Sequence, residues 1–257
     1  MDRSRLLLGL LVLGCSVPVA SRAQEFRVET DVFVGSQKKP VAQNLTIFVS
    51  GLVYDFPLMG PNEIAVLDPS RGRFVLLDTE RKIKTTLTTQ ELLEFTASMK
   101  AQAQDAEGVV AFALNPQFDP SFDEQTGWLT LSSKLMTYRL KGSKPKQAAA
   151  VDLYRQFADW YARLNATRPG NLPPFARLEL NKAAAERGLI PEDVELTVAS
   201  SYRLVGKTMA IRSHHMINWR LPGTDRKRID EAGDFLVNYP AVKFQEYRSA
   251  DKVAAKP

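Results

Sequence analysis

Short alternating segments separated by tight turns constrain this chain more than any other feature. Strands joined by only a few turn residues must pair antiparallel, because a parallel pair needs a crossover of a dozen residues or more. Phe26, Val28, Thr30, Val32 and Val34 alternate with Arg27, Glu29 and Asp31, the period-two pattern of a strand with one solvated face. A polar turn at 36–40 leads into Leu45, Ile47, Val49 and Val53, again alternating, with Gly51 expected as a bend or bulge. The apolar runs 64–67 and 74–77, joined by Asp68-Pro69-Ser70-Arg71-Gly72, predict a hairpin. Ile83, Thr85 and Leu87 mark one more strand.

Helical spacing then interrupts the strands. Thr88 and Glu91 form a capping-box pattern ahead of the stripe Leu92, Phe95, Thr96, Met99 and Ala103. Residues 109–114, 129–131 and 136–140 read as strands. Residues 148–164 predict the strongest helix, with Leu153, Tyr154, Phe157, Trp160, Tyr161 and Leu164 on a broad apolar face that must lie on the sheet. Pro173-Pro174 and Gly188 bracket another helix, since Pro suits the first turn and Gly a left-handed exit. Val194, Leu196 and Val198 mark a strand. Met209, Ile211, His215, Ile217 and Trp219 mark one face of the next, which would span about 50 Å if unbroken over 207–221 and so predicts strong curvature or a bulge near Ser213. A helix at 225–236 capped by Thr224, with Ile229, Ala232, Gly233 and Leu236 inward, and a closing strand at 242–247 complete the reading. No repeat or Pro/Gly/Ser-rich linker divides the chain. The expected fold is α+β: one domain over 24–250 built on a long curved antiparallel sheet, half-open and barrel-like, covered on one face by about four helices, with a disordered tail at 251–257.

The first 23 residues predict export. Arg3 and Arg5 precede the apolar run 6–13, and Ser21-Arg22-Ala23 places small residues where a signal peptidase reads, so cleavage is expected after Ala23. The apolar run is too short for a spanning helix, which needs ~20 residues. Val12-Leu13-Gly14-Cys15 resembles a bacterial lipobox, which makes acylation of Cys15 the alternative. Membrane contact is then peripheral, or made through that acyl group. Without residues 1–23 the basic residues exceed the acidic ones by only 31 to 28. Nucleic-acid binding asks for a more one-sided field and is not expected.

Chemistry-bearing patterns are few. Cys15 is the only cysteine, and His214 and His215 are the only histidines, so no thiolate or His-rich metal centre is expected, nor any cofactor. Gly206-Lys207-Thr208 lacks the earlier Gly of a phosphate loop, because Ser201 stands there. Asp119, Ser121 and Asp123 have calcium-loop spacing, but Glu124 and Thr130 stand where such a loop needs Gly and Glu. Ser213 and His214 point to opposite faces of an extended strand, so adjacency makes no nucleophile–base pair of them. His215 falls on the apolar face with Met209, Ile211, Ile217 and Trp219. These five are the candidate ligand-lining residues, and no catalytic residue is assigned.

An exported chain with a long antiparallel sheet, helices interposed as a lid and no mature cysteine resembles the outer-membrane lipoprotein-carrier and lipoprotein-sorting proteins. The runs Arg73-Phe-Val-Leu-Leu-Asp78 and Arg81-Lys-Ile-Lys-Thr-Thr86 also resemble segments of exported bacterial proteins grouped with that fold. The resemblance implies a periplasmic or cell-envelope protein with a concave apolar surface under helices, suited to a lipid or a lipidated protein. It carries over no site residue. A hydrolase of the envelope using His214 and His215, and a structural envelope component without a small ligand, are the alternatives.

Overall fold

The computed structural model describes residues 25–103, 105–199 and 209–249. Eleven strands form one antiparallel, open, curved sheet. They are β1 (Phe26–Val34), β2 (Ala42–Val49), β3 (Leu52–Met59), β4 (Glu63–Asp68), β5 (Arg73–Asp78), β6 (Ile83–Thr88), β7 (Asp119–Asp123), β8 (Trp128–Ser132), β9 (Met136–Ser143), β10 (Ile190–Val198) and β11 (Met209–Asn218). The order β6-β5-β4-β3-β2-β1-β11-β10-β9-β8-β7 puts the last strand beside the first and joins two meanders at the β1/β11 seam. The helices are α1 (Thr89–Gln102), α2 (Gly108–Leu114), α3 (Ala149–Ala166), α4 (Phe175–Glu186), α5 (Gly223–Asn238) and α6 (Phe244–Ser249).

Helices α1, α3, α4 and α2 touch in that order and lie on one face of the sheet. Under α1 and α3 sit Phe26, Val28, Phe48, Val53, Leu67, Phe74 and Leu76; under α2 and α4 sit Leu129, Tyr138, Leu140 and Val194. Helix α5 takes the opposite face, where Ala232, Ile229, Phe235 and Leu236 pack on Leu45, Ile47, Tyr54, Phe56, Val66, Val75 and Leu77. Strands β2 to β5 are therefore buried on both faces. That explains why β4 and β5 read as near-continuous apolar runs instead of strict alternation. The Arg27 guanidinium donates to the buried carboxylate of Asp225 at 3.0 Å and ties the first turn of α5 to β1.

Both sheet edges carry features that discourage further pairing. Lys84 of β6 exchanges backbone hydrogen bonds with Pro240 and Val242 in a single parallel bridge at Ala241. The β7 edge is five residues long and carries Pro120, Asp119 and Asp123, which discourage strand addition.

Several expectations hold and others need correction. The Thr88–Glu91 capping box forms in both directions, and Gly188 leaves α4 with φ +70°, its amide and that of Leu189 donating to the last carbonyls. The alternation expected to run through Leu45 to Val53 is instead two strands. Ser50 and Gly51 both have positive φ, as a two-residue type I′ hairpin turn requires, so Gly51 turns the chain instead of bulging it. Residues 109–114, expected as a strand, are α2. In that short run Val109 and Ala113, four apart, bury on the same side, and a run of this length carries no periodicity that separates helix from strand.

The closing strand expected at 242–247 shrinks to the Ala241 bridge. The chain then turns into α6, which buries Tyr247 and half-buries Phe244 three residues earlier. Thr224 does not cap α5; Pro222 stands at the cap and no side chain completes it. The register shifts in the sheet lie at Pro191/Asp193 in β10 and Gln43/Asn44 in β2, while β11 keeps register through Ser213. At the β10 shift, β9 and β10 come so close that a Cβ on Gly142 would collide with the Ile190 carbonyl. Asp119, Ser121 and Asp123 form β7, with Asp123 accepting from the turn residues Gln125 and Thr126; no metal-ligand cluster occurs among the described residues. The segment 1–23, with Cys15 and Ala23, the Gly206-Lys207-Thr208 run and the tail at 251–257 lie outside the described residues.

Candidate functional site

At the β1/β11 seam the helix-covered face of the sheet changes character. Cross-strand register places His215, Thr30 and Asn44 directly opposite one another on β11, β1 and β2. One step along, Val28, Thr46 and Asp55 line up on β1, β2 and β3. Alternation puts all six on the face under α3. A polar patch therefore lies across four strands where apolar residues would ordinarily meet a helix.

Each group in the patch is held by its neighbours. The Asp55 carboxylate accepts from Thr46 Oγ1 (2.7 Å), Asn44 Nδ2 (2.8 Å) and Tyr161 OH (2.8 Å) of α3. Burial raises its pKa above the ordinary carboxylate value, against the opposing pull of those three donors. Burial and the neighbouring carboxylate push the Tyr161 phenol well above its ordinary range. His215, 7% exposed, lies with Nδ1 3.0 Å from Thr30 Oγ1 and Nε2 2.9 Å from Ser213 Oγ. Burial, reinforced by Arg177 and His214, lowers its pKa to about 3, so the ring is neutral at physiological pH.

Between this floor and α3 is a cavity of about 230 Å³. Thr30, Asn44, Thr46, Asp55, Ser213 and His215 form its polar side. Val28, Val32, Phe157, Ala158 and Ala162 form its apolar side, and Tyr154, Tyr161, Asn165 and Arg177 complete it. Phe157 is locked in place by an edge contact to Phe48 and by Tyr161, with ring centroids at 5.7 and 5.1 Å. The outcome is a half-open space lined by both apolar and hydrogen-bonding groups, as small-molecule sites commonly are.

Of the five residues singled out on the β11 face, His215 lines this cavity. Ile217 packs into the dry cluster around Phe26, Ile211 is half-buried, and Met209 and Trp219 are exposed at opposite ends of the strand, with Trp219 5.3 Å from the Phe26 ring. His214 points to the other face, where it is exposed and bonded to Asp193 at 2.9 Å, so the two histidines do not share a site. The Ser213–His215 contact is the first half of a nucleophile–base pair. The second half is missing, since the other ring nitrogen meets a hydroxyl and the depressed pKa makes the ring a poor proton acceptor.

Sequence reading did not pick out Thr30, Asn44, Thr46, Asp55 or Arg177 as site residues. The available signal was Thr30 itself, a polar residue inside the apolar face of β1, opposite a histidine in a similar position. No family model and no curated protein matches the chain. Among solved structures it is similar to the LolA superfamily protein NE2245 from Nitrosomonas europaea, with 8% identity and a TM-score of 0.33 over 79% of this chain and 89% of that one. No helix among the described residues is long and apolar enough to cross a membrane.

Proposed function

We propose that this chain is an exported cell-envelope binding module that holds part of a lipid, a lipidated protein or another hydrophobic partner in the cavity beneath α3. The observation that carries the reading is the cavity itself. A folded domain ordinarily fills such space with side chains, whereas here Ala158 and Ala162 of α3 face Val28, Val32 and a row of hydroxyls. Export rests on the pattern of residues 1–23, with either cleavage after Ala23 or acylation at Cys15. At about 230 Å³ the cavity is smaller than the ~300–1,000 Å³ of drug-sized sites, so it suits one short chain or the end of a longer one.

Native mass spectrometry of protein purified from its own host tests the proposal. The expected result is a co-purifying amphiphile that is absent from an Ala162→Phe variant, whose ring would occupy the cavity. Wild-type protein that is consistently ligand-free and binds no added amphiphile would overturn it.

A further inference from the structure

The polar side of the cavity is uneven in a way that points to the charge of its occupant. Asp55, Thr46, Asn44 and Tyr161 satisfy one another, and His215 is satisfied by Thr30 and Ser213. Two donors are left over. Tyr154 is 8% exposed, lines the cavity, and its hydroxyl has no hydrogen-bond partner among the described residues. Arg177, in the first turn of α4, gives its Nε to Asn181 Oδ1 at 2.9 Å and forms no ion pair with a carboxylate among the described residues.

The guanidinium of Arg177 lies near Tyr154, Tyr138 and His215, all neutral, and reaches a carboxylate, that of Asp159, only through the Asn181 amide, which donates to it at 2.9 Å. Asp55 is not its counter-ion. It makes no hydrogen bond or ion pair with Arg177, its oxygens accepting instead from Thr46, Asn44 and Tyr161. A charged fork beside a partnerless phenol, both bordering a space with one apolar wall, is an arrangement that a planar anion completes.

We infer that the cavity takes a single-chain aliphatic carboxylate, its head on Arg177 and Tyr154 and its tail along Val28, Val32 and Phe157. This rests on the binding reading above and names the ligand class for it. The small volume favours one chain over a two-chain lipid. The flat guanidinium favours a carboxylate, which it meets with two parallel hydrogen bonds.

Calorimetric titration of the mature protein with octanoate, octanol and octyl phosphate tests the inference. Octanoate should bind roughly tenfold or more tightly than octanol, the range expected for a charge-assisted hydrogen bond. Arg177→Met should abolish that preference. Arg177→Lys, which keeps the charge but loses the fork, should retain part of it and serves if the Met variant does not fold. Equal binding of octanoate and octanol would overturn the carboxylate while leaving the cavity reading standing, and tighter binding of octyl phosphate would reassign the head group. Binding of none of the three would remove both.

Discussion

The same face of the same sheet is dry under one part of α3 and polar under another. Toward β4 and β5 it presents Leu67, Phe74 and Leu76, all fully buried. From the neighbouring β3 across to β11 it presents Asp55, Thr46, Asn44, Thr30, Ser213 and His215 around a cavity. In the dry region stability comes from volume filled and apolar area removed from water, terms that tolerate no gap. In the polar region the same helix rests on hydrogen bonds whose members must all be present, since an orphaned buried donor costs more than a completed bond contributes. One face thus combines a rigid support with a site that can exchange its contents.

The largest effect belongs to the dry region. Phe74→Ala should cost about 3–5 kcal/mol, from lost transfer energy and the cavity left behind, which for a chain of this size lowers the melting midpoint by roughly 10 °C. Trp160→Ala should cost less. Trp160, on the apolar face of α3, is only half-buried, with the Arg163 guanidinium 5.1 Å from its ring centroid. A calorimetric scan of the two variants ranks them; equal midpoints would erase the distinction.

The polar region should answer to pH. Asp55→Ala removes the acceptor of three donors and should cost on the order of 3 kcal/mol. Asp55→Asn keeps the shape and removes the charge. Because burial raises the Asp55 pKa in the folded state, its favourable contribution is fully present below its ordinary value of 3.8 and is lost as pH rises through the folded value. The Asn variant should therefore gain on the wild type as pH is raised from about 4 toward neutrality, as chemical denaturation across that range would show. A constant difference between the two would mean that the carboxyl is not desolvated.

The contrast between the regions also explains what the sequence revealed. The apolar runs of β4 and β5, the capping box at Thr88, and the stripe of α3 are local patterns whose periods need no partner to be read. The floor of the cavity is not local. Asn44 and Thr46 alternate with Leu45 and Ile47, and a single strand with one polar face reads as solvated on that face. Only pairing with β1 and β3, and the arrival of α5 over Leu45 and Ile47, turns the polar side inward. Asp55 was hidden because the Ser50-Gly51 turn was read as a bend, leaving β3 unrecognised. Arg177 was one more charge on a helix until α4 docked beside α3. The misread segments, 109–114 and 242–247, are too short for either period to emerge, and their structure is set by what they cover.

The smallest effect belongs to His214, and the adjacent pair sharpens the comparison most. His215 has its folded pKa depressed to about 3, so the stability of its neutral form is present above its ordinary value of 6.5 and is lost as pH falls from there toward 3. His215→Phe should remove that acid limb and, if the cavity holds a ligand, alter what binds. His214 sits one residue away on the opposite face, exposed and paired with an exposed Asp193. Exposed pairs contribute about 0–1 kcal/mol, so His214→Ala should leave the neutral-pH stability within roughly 0.5 kcal/mol of wild type and ligand binding unchanged. It should make the loss of stability in acid slightly smaller, because His214 is the least of the groups that depress His215. Denaturation midpoints of the two variants from pH 3 to 7 make the measurement. A loss of binding in His214→Ala equal to that in His215→Phe would mean that the two faces of β11 are coupled, and the division of the sheet into a supporting part and a binding part would have to be redrawn.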